Sequence, residues 1–231
     1  MTGKIIIDDI QCEVIKKKIK NLYLSVHPPD GRVKIAAPLT MNDEVIRTFV
    51  ISKLSWIKKQ QARLEKLGRE AEKEYVTGES HYFQGKAYVL NVLYTKQRQR
   101  AELINDQQIN LYVREGCTKE QRRKIMLEWY RSELKKKIPE LIGKWEKIIG
   151  TKVNFWGVKL MKTRWGTCNP TAKRIWVSLE LAKKTPSCLE YILVHEMVHL
   201  LERYHNKRFY TYLDQFLPNW KEIKRELNRL S

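Results

Sequence analysis

The stretch from Ser187 to Leu201 constrains this chain more than any other. Leu189, Tyr191, Ile192, Leu193, Val194, Met197, Val198, Leu200 and Leu201 make it apolar on nearly every side of a helix, and a helix that is hydrophobic all round belongs in a protein interior. Yet His195, Glu196 and His199 sit in its middle. Polar groups buried without partners are strongly unfavourable, so something must satisfy these three.

Their spacing says what. Residues four apart differ by about 40° around a helix of 3.6 residues per turn, so His195 and His199 project together, one turn apart. Glu196 points about 100° aside, close enough to reach a metal-bound water without being a ligand itself. This His-Glu-x-x-His arrangement has the mechanics of zinc hydrolases. A catalytic zinc takes three protein ligands and leaves one position for water. The third is expected to be His205. On an unbroken helix it would lie about 240° from His199, so the chain must leave the helix near Glu202 or Arg203 and turn back. The same gap occurs in the metzincin pattern, where a glycine makes the turn; Glu202 stands there instead. His27 and His81 fall in a β-rich half and read as ordinary surface or core histidines, while Glu202, Asp214 and Glu222 are acidic fallbacks.

Around this segment the chain reads as α+β. Short apolar runs at Ile5–Ile7, Leu22–Val26 and Val33–Ala37 surround Pro28-Pro29-Asp30-Gly31, a hairpin signal. Ile46, Phe49, Val50, Leu54 and Ile57 recur at helical spacing within one long helix from about Asp43 to Leu67. Strands are expected at Tyr82-Phe83, Ala87–Tyr94 and Ile109–Val113. Thr118 with Gln121, and later Ser187 with Glu190, have the form of capping boxes that open helices. Pro139 should end or kink the first of these. Two more strands are expected at Phe155–Met161 and Arg174–Leu179, and Pro218 separates the last two helical pieces. No internal repeat is visible. The expected organisation is a β-rich N-terminal domain with a long helix over residues 1–116, then a helical zincin-like metal-binding domain with a small sheet over 117–231.

Cys12, Cys117, Cys168 and Cys188 lie far apart and form no Cys-x-x-Cys pair, so they read as reduced thiols. No run approaches the roughly 18 apolar residues of a membrane span, and Met1-Thr2-Gly3-Lys4 leads straight into a strand-like run and not a signal peptide. A cytoplasmic protein without a membrane partner is the expectation. With 45 basic against 26 acidic residues the net charge is +19. Lysines scattered over helix faces are ordinarily solvated decoration, but such a charge also attracts polyanions, so a nucleic-acid or nucleotide partner is a second reading.

The chain resembles the YgjP-like metallopeptidases, relatives of the SprT-type zinc proteins. The likeness is carried by Val194-His195-Glu196-Met197-Val198-His199, then His205-Asn206 and Arg208-Phe209-Tyr210. Upstream, Arg164-Trp165-Gly166-Thr167-Cys168 is similar to the family's Arg-Trp-Gly-Ser-Cys element, and Trp56-Ile57 and Gly85-Lys86 sit where the family has them. The resemblance implies a helical metal-binding domain behind a β-rich region, and supports His205 as third ligand. Ser178 departs from it, since the family commonly has Asn there.

The expected activity is hydrolysis of a peptide or protein with one Zn²⁺ on His195, His199 and His205, and Glu196 as base. Arg164 is the candidate for stabilising developing negative charge, and the strand at Arg174–Leu179 for pairing with an extended substrate. Trp165 and Trp176 read as core aromatics. Two alternatives keep the metal: a pyrophosphatase acting on UTP-like nucleotides, which the resemblance also covers, and a DNA-associated SprT-like protease.

Overall fold

Alternation of apolar residues with period two builds the first half of the chain. The computed structural model describes residues 2–27, 31–68, 73–161 and 163–229, in two compact units, residues 1–73 and 74–231. In the first, β1 (Thr2–Ile7), β2 (Ile10–Lys17), β3 (Tyr23–His27) and β4 (Arg32–Pro38) form a sheet in the order β1-β2-β4-β3. β2 and β4 are parallel and the outer pairs antiparallel. Residues 28–30 of the expected turn lie outside the description, but the strands on either side pair antiparallel, as a hairpin requires. One face of the sheet buries Ile5, Ile7, Cys12, Val14, Val33 and Ile35 against Ile46, Val50 and Ile57. Those last three lie on two helices, α1 (Asp43–Ser52) and α2 (Leu54–Gly68), and not on one. The helix breaks at Lys53, which leaves helical geometry at φ −109° and ψ 3°.

The second unit opens with β5 (Ser80–Phe83), β6 (Lys86–Tyr94), β7 (Arg100–Leu103) and β8 (Gln108–Val113), ordered β5-β6-β8-β7. This sheet repeats the first. Strand directions agree, and the intervals between strands are the same: two residues (8–9 and 84–85), five (18–22 and 95–99) and four (28–31 and 104–107). Six buried apolar positions correspond: Ile7 with Phe83, Cys12 with Tyr88, Val14 with Leu90, Val33 with Ile109, Ile35 with Leu111 and Ala37 with Val113, although buried Ile10 is matched by exposed Lys86. So the chain does carry an internal repeat. It escaped the sequence because only the apolar pattern repeats, and not the residues.

The long helix α3 (Lys119–Ile149) follows. Its capping box forms as expected: Thr118 Oγ1 accepts from the Gln121 N–H, and Gln121 Oε1 from the Thr118 N–H. Pro139 neither ends it nor divides it. Met126, Trp129, Tyr130, Leu134, Ile138, Ile142 and Trp145 bury one continuous stripe, and that packing outweighs the hydrogen bond a proline removes. Phe83, Leu90, Ile109 and Leu111 share this core, so the boundary expected near residue 116 falls inside the second unit.

Beyond α3, β9 (Phe155–Lys159), β10 (Gly166–Asn169) and β11 (Arg174–Ser178) form a small sheet ordered β10-β11-β9. A 3₁₀ turn (Leu179–Lys183) leads to α4 (Pro186–Val198), α5 (Lys207–Phe216) and α6 (Trp220–Arg229). Ser178 is wholly buried and caps the 3₁₀ turn through its hydroxyl. No helix among the described residues is long and apolar enough to cross a membrane, and all four cysteines are free.

Candidate metal centre

α4 is buried on nearly all sides, as its composition requires: Cys188, Leu189, Tyr191–Val194, Glu196, Met197 and Val198 are all in the interior. Its start differs from expectation. Pro186 occupies the first turn after Thr185, and no side chain caps it. Glu190 does not close a capping box; its carboxylate accepts from Lys144 Nζ at 2.7 Å and Trp145 Nε1 at 2.9 Å.

The helix also ends earlier than the third-ligand argument demands. Its last residue is Val198, with His199 as C-cap. The chain then tightens, Leu200 N–H donating to Met197 O and Leu201 N–H to Val198 O. Where the metzincin pattern has glycine, Glu202 uses both its carbonyl, which accepts from His199 Nδ1 at 3.2 Å, and its carboxylate, which accepts from the Tyr204 N–H at 3.2 Å. Asn206 then caps α5 by accepting from the Phe209 N–H at 3.0 Å. His205, just before that cap, faces back toward α4.

The result is convergence. His195 Nε2 and His205 Nε2 are 3.0 Å apart, and one ligand atom from each of His195, His199 and His205 lies within 4.8 Å of the others. Bonds of roughly 2.0–2.1 Å to a tetrahedral ion would put neighbouring nitrogens roughly 3.3 Å apart, so the trio fits such an ion. Phe209, fully buried, floors it: its ring centroid is 5.0, 4.7 and 4.6 Å from those of His195, His199 and His205. The Nδ1 bond of His199 leaves its Nε2 for a ligand. His195 Nδ1 is buried without a partner among the described residues.

Electrostatics favour free lone pairs. Burial above all, then the neighbouring imidazoles and Lys224, push His195 down to about 3. Burial also lowers His199, against the opposing bond to Glu202, and lowers His205, with Lys224 adding to it. The imidazoles are therefore neutral at pH 7, as metal ligation requires. Three imidazoles suit a borderline divalent ion such as zinc.

Glu196 is buried beside the trio, and burial pushes its carboxyl up to about 8, opposed by the Arg164 guanidinium. β10 lies against it. A Cβ on Gly166 would stand 2.7 Å from Glu196 Oε1 and 2.9 Å from Ile192 Cγ2, so only glycine lets the strand approach this closely. Two residues on, the Cys168 thiol is raised to about 12 by burial and by Glu196.

The structure corrects one expectation. β11 lies between β10 and β9, with both edges paired, so it cannot accept a further strand. β10 is the edge strand beside the centre. Arg164, exposed, precedes β10. The other histidines have partners of their own: in the first unit His27 contacts Ser25 Oγ, and in the second His81 contacts Glu79 Oε2 from the core of the β5–β8 sheet. Asp214 accepts from Trp220 Nε1. In the sequence Gly166 and Phe209 stand out only as parts of motifs, and nothing there marks Lys224.

The family model of the YgjP-like, metallopeptidase domain matches residues 20–230. No curated protein matches the chain by sequence. Among solved structures, the metallopeptidase zymogen of Pyrococcus abyssi abylysin is similar at 21% identity and a TM-score of 0.37, over 40% of this chain and 94% of the zymogen's.

Proposed function

Because the chain belongs to the YgjP-like metallopeptidase family, we propose that it is a zinc-dependent peptidase whose one Zn²⁺ is held by His195, His199 and His205, with Glu196 as its base. The convergence of three neutral imidazoles beside one buried carboxyl carries this reading.

When bound, the ion supplies Lewis acidity, polarising the substrate carbonyl and making the attacking water easier to deprotonate. Glu196 takes the proton of that water and hands it to the leaving amine. Burial suits it to both steps, since a carboxyl titrating near neutrality can accept and release a proton at little cost. Arg164, whose charge already acts on Glu196, steadies the negative charge that develops on the carbonyl oxygen. The free edge of β10 pairs with the extended backbone of the substrate. Gly166 keeps that strand close enough for substrate and Glu196 to meet.

The test is Glu196→Gln with zinc content and turnover measured together, on casein and, in parallel, on UTP. The variant is expected to retain zinc and lose about 10²–10⁴-fold in peptide release. Undiminished turnover would rule out Glu196 as base. Pyrophosphate from UTP, with casein intact, would move the activity to phosphoanhydrides.

A further inference from the structure

A groove of about 720 Å³ runs between β7 and the first half of α3. Its helical wall is a single stripe of α3, Gln121, Lys124, Ile125, Glu128, Trp129 and Ser132, whose three- and four-residue spacing puts them on one face. The opposite wall is residues 98–101, the approach to β7 and that strand's first two residues. From Gln121 to Ser132 the stripe runs about 16 Å, the length of about five residues of extended chain.

β7 is an edge strand, paired with β8 alone. Just past it, the Ile104 N–H donates to Gln108 O at 3.0 Å. In step with Ile104, Glu102 and Arg100 turn their backbone groups to β8, and Ala101 and Leu103 turn theirs outward. β8 agrees with this alternation, since its neighbours in the other phase, Gln107 and Val113, give their carbonyls to Val89 and Thr95 on the β6 side. Among the described residues nothing bonds to the outward groups of Ala101 or Leu103.

The side chains add two further features. Ala101, Ile125 and the buried Trp129 belong to the core of the second unit and give the groove an apolar floor. Glu128 is paired with Arg131, and Arg100 with Glu102. That leaves Arg98 and Lys124, both exposed and neither in an ion pair among the described residues, as the uncompensated charges of the groove.

We propose that this groove is a docking site for another protein, which adds an extended acidic segment to β7 as a fifth strand. The outward backbone of Ala101 and Leu103 pairs with the segment's main chain, the floor takes its apolar side chains, and Arg98 and Lys124 take its carboxylates. The proposed metal centre packs on the other half of α3, where Trp145 bonds Glu190 of α4, about 24 Å along the helix from Trp129. The inference therefore goes beyond the peptidase reading and does not depend on it.

Fluorescence anisotropy on the full chain tests it, with a chelator present so that no peptide is cut. The probe is a labelled octapeptide pool in which Glu alternates with Ala, Val or Leu; a matched pool carries Gln for Glu. The acidic pool is expected to bind about tenfold tighter, as charge-assisted contacts do. Arg98→Gln with Lys124→Gln should erase that difference. Lys135→Gln with Lys147→Gln, which removes the same charge from exposed positions outside the groove, should keep it. Ala101→Pro takes away an outward N–H, a change that an edge strand tolerates, and should weaken both pools by about three- to tenfold. Amide exchange of the wild type tests the pairing whether or not that variant folds: bound peptide should slow Ala101 and Leu103 and leave Glu102, already bonded to β8, unchanged. Equal binding of the two pools, the same loss in both double variants, or no slowing at Ala101 and Leu103 would overturn the proposal. So would slowing of those two amides with rising protein concentration alone, which would give the groove to a second copy of the chain.

Discussion

Glu196 gains its proton affinity from burial, and this has a measurable consequence. Its carboxyl, at about 8, is protonated at pH 7, while the three imidazoles, all lowered, are already neutral. An arriving cation favours the carboxylate, so zinc uptake at pH 7 should expel a proton from Glu196 and none from the histidines. Because the carboxyl pKa is raised, the proton must be removed below about 8 and is already absent above it. Apparent zinc affinity should therefore rise by up to about tenfold per pH unit toward 8 and then flatten. Calorimetry in buffers of different ionisation enthalpy reads that proton directly, and Glu196→Gln should release about one fewer. Gly166→Ala tests geometry at the same scale. Its methyl would press on Glu196 Oε1 at 2.7 Å, and a displaced base is expected to cost about 10²-fold in turnover with zinc retained. Normal activity in that variant would mean β10 does not set the position of Glu196. The two helical histidines and Glu196 were legible because helical spacing alone brings them together. What makes Gly166 matter is its closeness to a carboxyl thirty residues along the chain, and no local pattern records that.

Among the elements, α5 matters most, because it returns the chain to α4 and carries the floor of the centre. Phe209→Ala would open a cavity under all three imidazoles. It should cost about 3–5 kcal/mol of stability in denaturant titration, together with weaker zinc binding. A loss of stability with zinc affinity intact would separate the floor from the site. The turn before α5 shows how far spacing could be trusted. A return to the helix was required, and it occurs, yet earlier than placed, because the helix closes at His199 with Glu202 bonded to both sides of the turn. Local chemistry was read correctly where nothing competed with it, as in the capping box of α3. It failed where tertiary partners intervened. Glu190 is held by Lys144 and Trp145 instead of its own helix start, and Pro139 is carried through a helix whose buried stripe continues on both sides.

At the scale of the whole molecule, the repeated four-stranded sheet sets the organisation. One copy makes the first unit with α1 and α2; the other shares its core with α3 and the helices of the proposed centre. Residues 74–231, which contain every residue of the proposed centre, should therefore fold alone with a single cooperative transition and take up zinc as the full chain does. A fragment that stays unfolded would show that the first unit is needed for the second. The repeat was hidden in the sequence because strand pairing is long-range and the copies share only which positions are buried. The central claim is that His195, His199 and His205 together hold one ion and leave a position for solvent. X-ray absorption at the zinc edge of the loaded protein tests it most directly. The account predicts three imidazole nitrogens and one further oxygen at roughly 2.0–2.1 Å. A shell with sulfur, with four protein nitrogens, or unchanged by His205→Ala would contradict it.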